Sequence, residues 1–463
     1  MKVLYLSAEL TPLAKVGGLA DVAGSLPKAL KNLNIDIRVM IPYYQTIEEQ
    51  HIKKHKLTDR LIVPFGDKNY IVTIYQGTLP NSTVPLYLLH HHEWLSTGPI
   101  YSKKRERFMF FSQAVLEFLK HDFFAPDIIH VNDWHVAAVP LLLKKDKFFQ
   151  NTKIKSLLTI HNLAMKGKVA NIKTKLWHPS LYENNKKRTY NILQQGILYS
   201  DWINTVSPQY AKEILTKEYG TKLLPDLLKN KKKITGIING IDSELFNPKN
   251  EKYAKKNYDI NHLNNKKSNK AFLQYRAGFP KKDNTPLIGL VTRITLQKGI
   301  RLIVKIIPKL AKLNAQFVFT GAGKEPLENA LKNAVKKYPH KFFFLNAYNL
   351  PFSQSIYSGA DMFLMPSKFE PCGLGQMIAM AYGTIPIVRA TGGLKDTVKD
   401  GVNGFRFDKY DANELFLAIK RALNVYEDKA KWNKMVRTAM KQDFSWKKSA
   451  LEYKKLYLKL ASS

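Results

Sequence analysis

A chain of 463 residues exceeds what one hydrophobic core supports and calls for two or three domains. With 45% hydrophobic and 24% charged residues it has an ordinary globular composition. It lacks the run of about 18 apolar residues a spanning helix needs, and the apolar part of Met1-Lys-Val-Leu-Tyr-Leu-Ser-Ala-Glu is too short for a signal peptide. The net charge of +36 comes from 73 Lys and Arg against 37 Asp and Glu, but only 12 of the cations are Arg. Nucleic-acid readers rely on Arg forks and stacking aromatics, so this dispersed Lys excess reads as solubility and residue usage, and neither nucleic acid nor membrane is an expected partner. One cysteine excludes an intramolecular disulfide and fits a reducing cytoplasm.

In chain order, residues 3–7 form a buried-type strand, followed by a loop holding Glu9 and Lys15. Gly17-Gly-Leu-Ala-Asp-Val then opens a helix to about Leu33. Strands follow at 37–41, 71–75 and 84–89, then a helix over 107–120 and a strand at 127–131. Asn132-Asp-Trp-His leads into a further helix, and a strand at 156–160 ends at His161-Asn162. Residues 204–207 and 234–238 are the last strands of this half. A polar, Lys- and Asn-rich stretch at 249–270 marks a surface segment near a boundary. A second series begins at Pro286, with strands at 287–291, 315–319, 341–345, 362–365, 385–388 and 404–407. The stripe Trp446, Ala450, Tyr453, Leu456, Tyr457 and Leu460 makes the tail a docking helix. The fold class is therefore α/β, with two Rossmann-like doubly wound domains on parallel sheets. Their expected limits are 1–239, completed by 444–463, and 240–443.

Loops after parallel strands are where open α/β sheets bind ligands. In the loop after 362–365 stands Glu370, followed by Cys372, Gly373 and Leu374; after 385–388 come Thr391, Gly392 and Gly393 at a helix start. A carboxylate beside backbone N–H groups that favour an anion suggests transfer chemistry on a phosphorylated substrate. Arg293 and Lys298, in the loop after 287–291, could clamp a leaving diphosphate. Lys15 beside Gly17 and Gly18 favours an anion too. The short echo between Gly17-Gly-Leu-Ala-Asp-Val and Gly392-Gly-Leu-Lys-Asp-Thr-Val suggests two helix N-termini serving one pyrophosphate, or only close helix packing. Gly321-Ala-Gly323 lacks the third glycine of a dinucleotide fingerprint. His130, Asp133, His135 and His161 lack metal-ligand spacing, so no metal is expected. Cys372 has no adjacent base and reads as a wall residue.

These segments resemble bacterial glycogen synthases and plant starch synthases. The matching stretches are Ser7-Ala-Glu-Leu-Thr-Pro-Leu-Ala-Lys-Val-Gly-Gly-Leu-Ala-Asp-Val, Asn132-Asp-Trp-His, Thr159-Ile-His-Asn-Leu-Ala, Thr205-Val-Ser-Pro, Asn239-Gly-Ile-Asp, Arg293-Ile-Thr-Leu-Gln-Lys-Gly, Pro366-Ser-Lys-Phe-Glu-Pro-Cys-Gly-Leu and Thr391-Gly-Gly-Leu-Lys-Asp-Thr-Val. The resemblance implies a GT-B arrangement, two domains facing across a deep cleft, the first on the acceptor side and the second on the nucleotide-sugar side. It implies transfer of glucose from ADP-glucose, a substrate and not a cofactor, to the non-reducing end of an α-1,4-glucan such as glycogen, with retention. By motif position, Lys15 and Gly18 approach the phosphate and sugar, Arg293 and Lys298 hold the diphosphate with help from the N–H groups near Gly392 and Gly393, and His161 contacts the donor glucose. Asp133 lines the acceptor side, Asn162 adjoins it, Glu370 binds glucose hydroxyls, and Tyr348 resembles an adenine-stacking tyrosine. A cytoplasmic location is implied, and an oligomer is allowed. Two departures stand out: Gly375 replaces the family's Thr, removing a hydroxyl that could meet phosphate, and Lys103-Lys104 replace an Asp-Asn pair.

Retention normally invites a carboxylate nucleophile. With one loop carboxylate that must also bind sugar, a short-lived ion pair with the leaving phosphate as base is the expected route. A UDP-sugar transferase of the Glu-Xaa7-Glu group is the near alternative, but Ile378 stands at the second Glu. A non-catalytic glucan- or nucleic-acid-binding protein is the distant one; it draws on the charge and leaves the two phosphate-type loops unexplained.

Overall fold

The structure, a computed structural model, describes residues 1–102, 105–170 and 189–462; the Lys103-Lys104 departure lies outside them. The chain divides into two compact units, Met1–Gly240 with Trp446–Ser463, and Ile241–Ser445.

The strands of the first unit are β1 (Lys2–Leu6), β2 (Asp36–Pro42), β3 (Lys54–Phe65), β4 (Lys68–Thr78), β5 (Pro85–His90), β6 (Ile128–Asn132), β7 (Lys155–Ile160), β8 (Lys168–Ala170), β9 (Thr189–Asn191), β10 (Trp202–Thr205) and β11 (Ile234–Gly236). One sheet runs β11-β10-β7-β6-β1-β2-β5-β4-β3, with β8 and β9 paired apart from it. β1 is parallel to both neighbours, β2 and β6. A strand paired on both sides and covered on both faces must be apolar throughout, and Val3, Leu4, Tyr5 and Leu6 are fully buried.

The expected purely parallel sheet fails at one edge. β4 runs antiparallel to both β3 and β5, so the 71–75 run belongs to a hairpin and not to a βα unit. β3 escapes sequence reading because only one face of it is covered: Leu61, Val63 and Phe65 are buried while Arg60, Ile62 and Pro64 between them are exposed. An antiparallel edge strand solvated on one side needs only alternate apolar residues, and the Lys, His, Asp and Arg of its first half obscure even those.

The second unit holds β12 (Leu287–Val291), β13 (Gln316–Thr320), β14 (Phe342–Leu345), β15 (Met362–Met365), β16 (Ile385–Arg389) and β17 (Phe405–Phe407). They lie in the order β14-β13-β12-β15-β16-β17, all parallel. Strand order therefore reverses between β12 and β15, and a reversal is where the flanking loops part and leave a crevice. In the first unit the corresponding reversal lies between β1 and β6.

The helix Trp446–Ala461 returns to the first unit. Its apolar stripe is buried in the cluster that holds Val3, Tyr5, Leu26 and Leu30, and Lys454 Nζ donates to the Leu33 carbonyl at 3.0 Å. The stripe is thus explained by a protein core. No helix among the described residues is long and apolar enough to cross a membrane.

Candidate active site

In the second unit, the loops after β12 and β15 emerge side by side and interlock. The Lys368 N–H donates to the Gln297 carbonyl at 2.8 Å. Gly299 adopts φ 75°, and a Cβ there would lie 1.9 Å from the Pro366 carbonyl oxygen, so only glycine fits. This contact sets Lys298 Nζ 2.6 Å from Glu370 Oε2, which also accepts the Ser367 hydroxyl at 2.9 Å. Glu370 is only 5% exposed, so its charge is met by protein groups more than by water. Arg389, at the end of β16, fastens the same loop: its Nη1 donates to the Lys368 carbonyl and its Nε to that of Asp408 at 3.1 Å.

Arg293 is exposed and forms no hydrogen bond or ion pair with any described residue. Its loop is held from behind. The Ile294 N–H donates to the Ala322 carbonyl at 2.9 Å, and the Lys324 N–H to the Ile294 carbonyl at 2.8 Å. A Cβ on Gly321 would come 1.7 Å from the Thr292 oxygen, and one on Gly323 2.2 Å from that of Ile294. These glycines make room for the Arg293 loop, and the Gly323 N–H is already taken by Glu328 Oε1. Tyr348, beyond β14, is 68% exposed, a ring open for stacking.

In the first unit, Glu9 organises the loop after β1. It is 3% exposed. Its Oε2 accepts the Val16 and Gly17 N–H groups at 2.8 and 2.6 Å, and its Oε1 accepts the Tyr101 hydroxyl. That carboxylate folds the Lys15–Gly18 turn into shape. Lys15 Nζ lies 2.6 Å from Asp21 Oδ1. A Cβ on Gly17 would meet nothing closer than Glu9 Oε1 at 3.8 Å, and one on Gly18 nothing within 4 Å. No described group of this unit requires either glycine.

Asp133, in the left-handed region with φ 56°, is buried. Its Oδ1 accepts the N–H groups of His161 at 2.7 Å and Asn162 at 3.3 Å. Burial lifts its carboxyl to about 7 against the pull of those two donors. Asn162 in turn accepts the Ala164 N–H on its Oδ1 at 3.1 Å. His161 Nε2 lies 2.9 Å from Asn132 Oδ1, and burial lowers the ring's pKa to about 3, so it is neutral at physiological pH. His130 sits between the Tyr457 and Thr159 hydroxyls, 2.7 Å from each, and His135 stacks on Tyr101 at 5.1 Å between centroids. Among the described residues no three His, Cys, Asp or Glu side chains converge as metal ligands.

Residues 2–230 match the family model described as starch synthase catalytic domain, and residues 272–439 match glycosyl transferases group 1. The chain is 40% identical to a glycogen synthase of Kosmotoga olearia, covering 100% of this chain and 98% of that protein. It is 44% identical to one of Caldicellulosiruptor bescii over the full length of both. The chain belongs to the glycogen synthase family. The catalytic domain of starch synthase IV from Arabidopsis thaliana, solved bound to ADP and acarbose, superimposes with a TM-score of 0.91 at 32% identity, covering 100% of this chain and 99% of that one. Sucrose-phosphate synthase from Thermosynechococcus elongatus matches in fold alone, with a TM-score of 0.63 at 20% identity. This glycogen synthase family member is a glycosyltransferase with the two-domain α/β, GT-B fold.

One expectation needs correction. The Gly393 N–H is not part of an open anion cradle; it donates to the carbonyls of Glu370 and Pro371, each at 3.2 Å. A Cβ on Gly392 would come 1.9 Å from the Glu370 oxygen, and one on Gly393 2.2 Å from that of Cys372. The pair lets the helix Gly392–Thr397 pack against the Glu370 loop, as close packing and not anion binding would require. Cys372 is buried, Gly373 turns the chain with φ 73°, Leu374 precedes the helix Gly375–Ala381, and Thr391 stands buried at the N-cap position of the next helix without a side-chain capping bond. Asp133, expected to line the acceptor side, also braces the backbone there: its Oδ1 accepts the His161 and Asn162 N–H groups. At Gly375, which replaces the family's Thr, a Cβ would lie 3.1 Å from Phe363 Cε1 and 3.4 Å from both Met365 Sδ and the Tyr357 hydroxyl. A threonine would have to push these side chains aside by a few tenths of an ångström. Gly375→Thr should therefore cost about 1–3 kcal/mol by overpacking and leave donor affinity no better, which chemical unfolding and donor KM would show together.

Glu9 escaped sequence reading as a functional residue although its signal was present. It follows β1 at the C-terminal edge of a parallel strand, the same placement that singled out Glu370.

Proposed function

We propose that the chain transfers glucose from ADP-glucose to the non-reducing end of an α-1,4-glucan with retention of configuration. The observation that carries this reading is the Lys298–Glu370–Ser367 constellation at the strand-order reversal of the second unit. A carboxylate that accepts one charge-assisted and one neutral hydrogen bond on the same oxygen is a poor nucleophile and a good partner for sugar hydroxyls. Lys298, a cation within reach of that carboxylate, and the unpaired Arg293 supply the charge that a departing diphosphate needs in the transition state. The leaving phosphate then takes the proton of the acceptor hydroxyl within a short-lived ion pair, and no metal is called for. Lys15 and the unfilled space at Gly18 serve the phosphate and sugar, and His161 receives a glucose hydroxyl. Tyr348 offers its ring to adenine. A cytoplasmic location suits such substrates and a single buried cysteine.

The helix Gly375–Ala381 buries Ile378, so no second carboxylate stands where the UDP-sugar group with Glu-Xaa7-Glu carries one. Incubation with glycogen and labelled ADP-glucose or UDP-glucose should put label into the polymer faster from ADP-glucose. Incorporation from UDP-glucose alone, or none from either, would overturn the reading. A glucosyl ester trapped on Glu370 with a slow donor would overturn the ion-pair step.

A further inference from the structure

Neutral histidine exists as two tautomers, and the hydrogen bond made by one ring nitrogen decides which nitrogen is left as acceptor. At His161 the choice is traceable through buried groups. The Leu6 carbonyl can only accept, so the group 3.0 Å from it must be the Asn132 amide nitrogen. That fixes the orientation of the Asn132 amide and turns its Oδ1 toward the Tyr5 hydroxyl at 3.1 Å and His161 Nε2 at 2.9 Å. An amide oxygen only accepts, so the ring proton is on Nε2. His161 Nδ1 has no partner among the described residues and is not sealed from solvent. Tyr5 is itself held by an edge-on contact with His130, 4.8 Å between ring centroids, and Asn132 is fully buried, so the relay has little freedom to rearrange. The titratable groups around the ring do not compete: Asp133 spends Oδ1 on backbone N–H groups, and His130 and His135 are kept neutral by burial.

We infer that Asn132 is a positioning residue, which fixes His161 as the Nε2–H tautomer so that Nδ1 accepts a hydrogen bond from a hydroxyl of the donor hexose. The inference rests on the proposed reading for the hexose, but its core is a property of the free protein. With Nδ1 as acceptor the sugar hydroxyl donates to the ring, whereas the other tautomer would donate its N–H to that hydroxyl and reverse the bond.

Long-range 15N–1H spectra of the full chain labelled with 15N-histidine, with His161 assigned by its loss in His161→Gln, read the tautomer without substrate. The expected result at pH 7 is an unprotonated Nδ1 and a protonated Nε2. A protonated Nδ1, or an averaged pair of signals, would overturn the inference. Asn132→Leu should give mixed tautomers and lower kcat/KM for the donor by about 10- to 100-fold, the usual scale for losing a group that orients a histidine, with KM for glycogen little changed. Unchanged donor kinetics in a folded Asn132→Leu protein would also overturn it. Should that variant not fold, the spectrum of the wild-type chain decides alone. A wild-type chain that transfers no glucose would remove the proposed substrate and leave the tautomer result standing, so the two failures are distinguishable.

Discussion

Lys298→Ala is expected to lower glucosyl transfer by about 10²–10³-fold, the scale for losing one fixed stabiliser of developing charge, and to destabilise the protein as well. Lys298 Nζ sits 2.6 Å from Glu370 Oε2, with both side chains mostly buried. Removing one partner of such a pair leaves the other charge poorly solvated, which costs about 3–5 kcal/mol when burial is complete. Some water reaches Lys298, so about 1–3 kcal/mol is the expected loss here. A double variant isolates the effect on stability. Lys298→Ala with Glu370→Gln has no stranded charge, so its unfolding midpoint should return most of the way to wild type; turnover stays low because both residues serve the substrate, so the catalytic share of Lys298 is read from Lys298→Ala alone. Near-normal rates in Lys298→Ala alone would remove its catalytic role outright. The pairing also accounts for a buried glutamate in this loop: Lys298 is its counter-ion in the free protein.

The two Gly-Gly-Leu stretches should respond to substitution in opposite ways. Gly18→Val places its Cβ where no described atom lies within 4 Å, at a helix start with ordinary backbone angles. Its stability should be unchanged within about 0.5 kcal/mol, as for surface changes away from special features. Turnover should fall by about 100-fold, since displacement of a bound substrate by about 1 Å costs that much. Gly393→Ala is the reverse case. Its Cβ would lie 2.2 Å from the Cys372 carbonyl oxygen and 2.6 Å from the Cys372 Cα, backbone atoms that cannot swing aside. Destabilisation of about 3 kcal/mol or more is expected, which calorimetry would show as a fall of roughly 6–12 °C in the transition of the affected unit. A stable, inactive Gly393→Ala, or an unstable Gly18→Val, would contradict this division.

Much of the site was legible in the chain. Short apolar runs followed by polar loops located β12, β15 and β16 within a residue or so, because a strand buried on both faces leaves no alternative composition. Position at the C-terminal edge of such strands then raised Glu370, Arg293 and Lys298 above the many other charged residues. The same rule covers Glu9, which stands in the loop after β1 and whose bonds to the Val16 and Gly17 N–H groups only the fold shows. The echo of Gly-Gly-Leu was legible as a pattern but not as a cause. Whether a glycine serves a ligand or a neighbouring loop depends on what occupies the missing Cβ's place, and residues 370–372 reach Gly392–Gly393 only through the fold.

Local composition and periodicity, then, determined by themselves the α/β class, most strand and helix positions, the docking helix Trp446–Ala461 and the set of charged loop residues. They could do so because each depends on residues adjacent in the chain. Tertiary structure alone decided the β3–β4 hairpin at the sheet edge, the Lys298–Glu370 pair across two loops, the bracing of the His161–Asn162 backbone by Asp133, and the tautomer of His161. Each of these joins groups far apart in sequence through strand neighbours, as when Leu6, Asn132 and His161 meet because β1, β6 and β7 lie side by side. Sequence order carries no record of that adjacency, whereas sheet order dictates it.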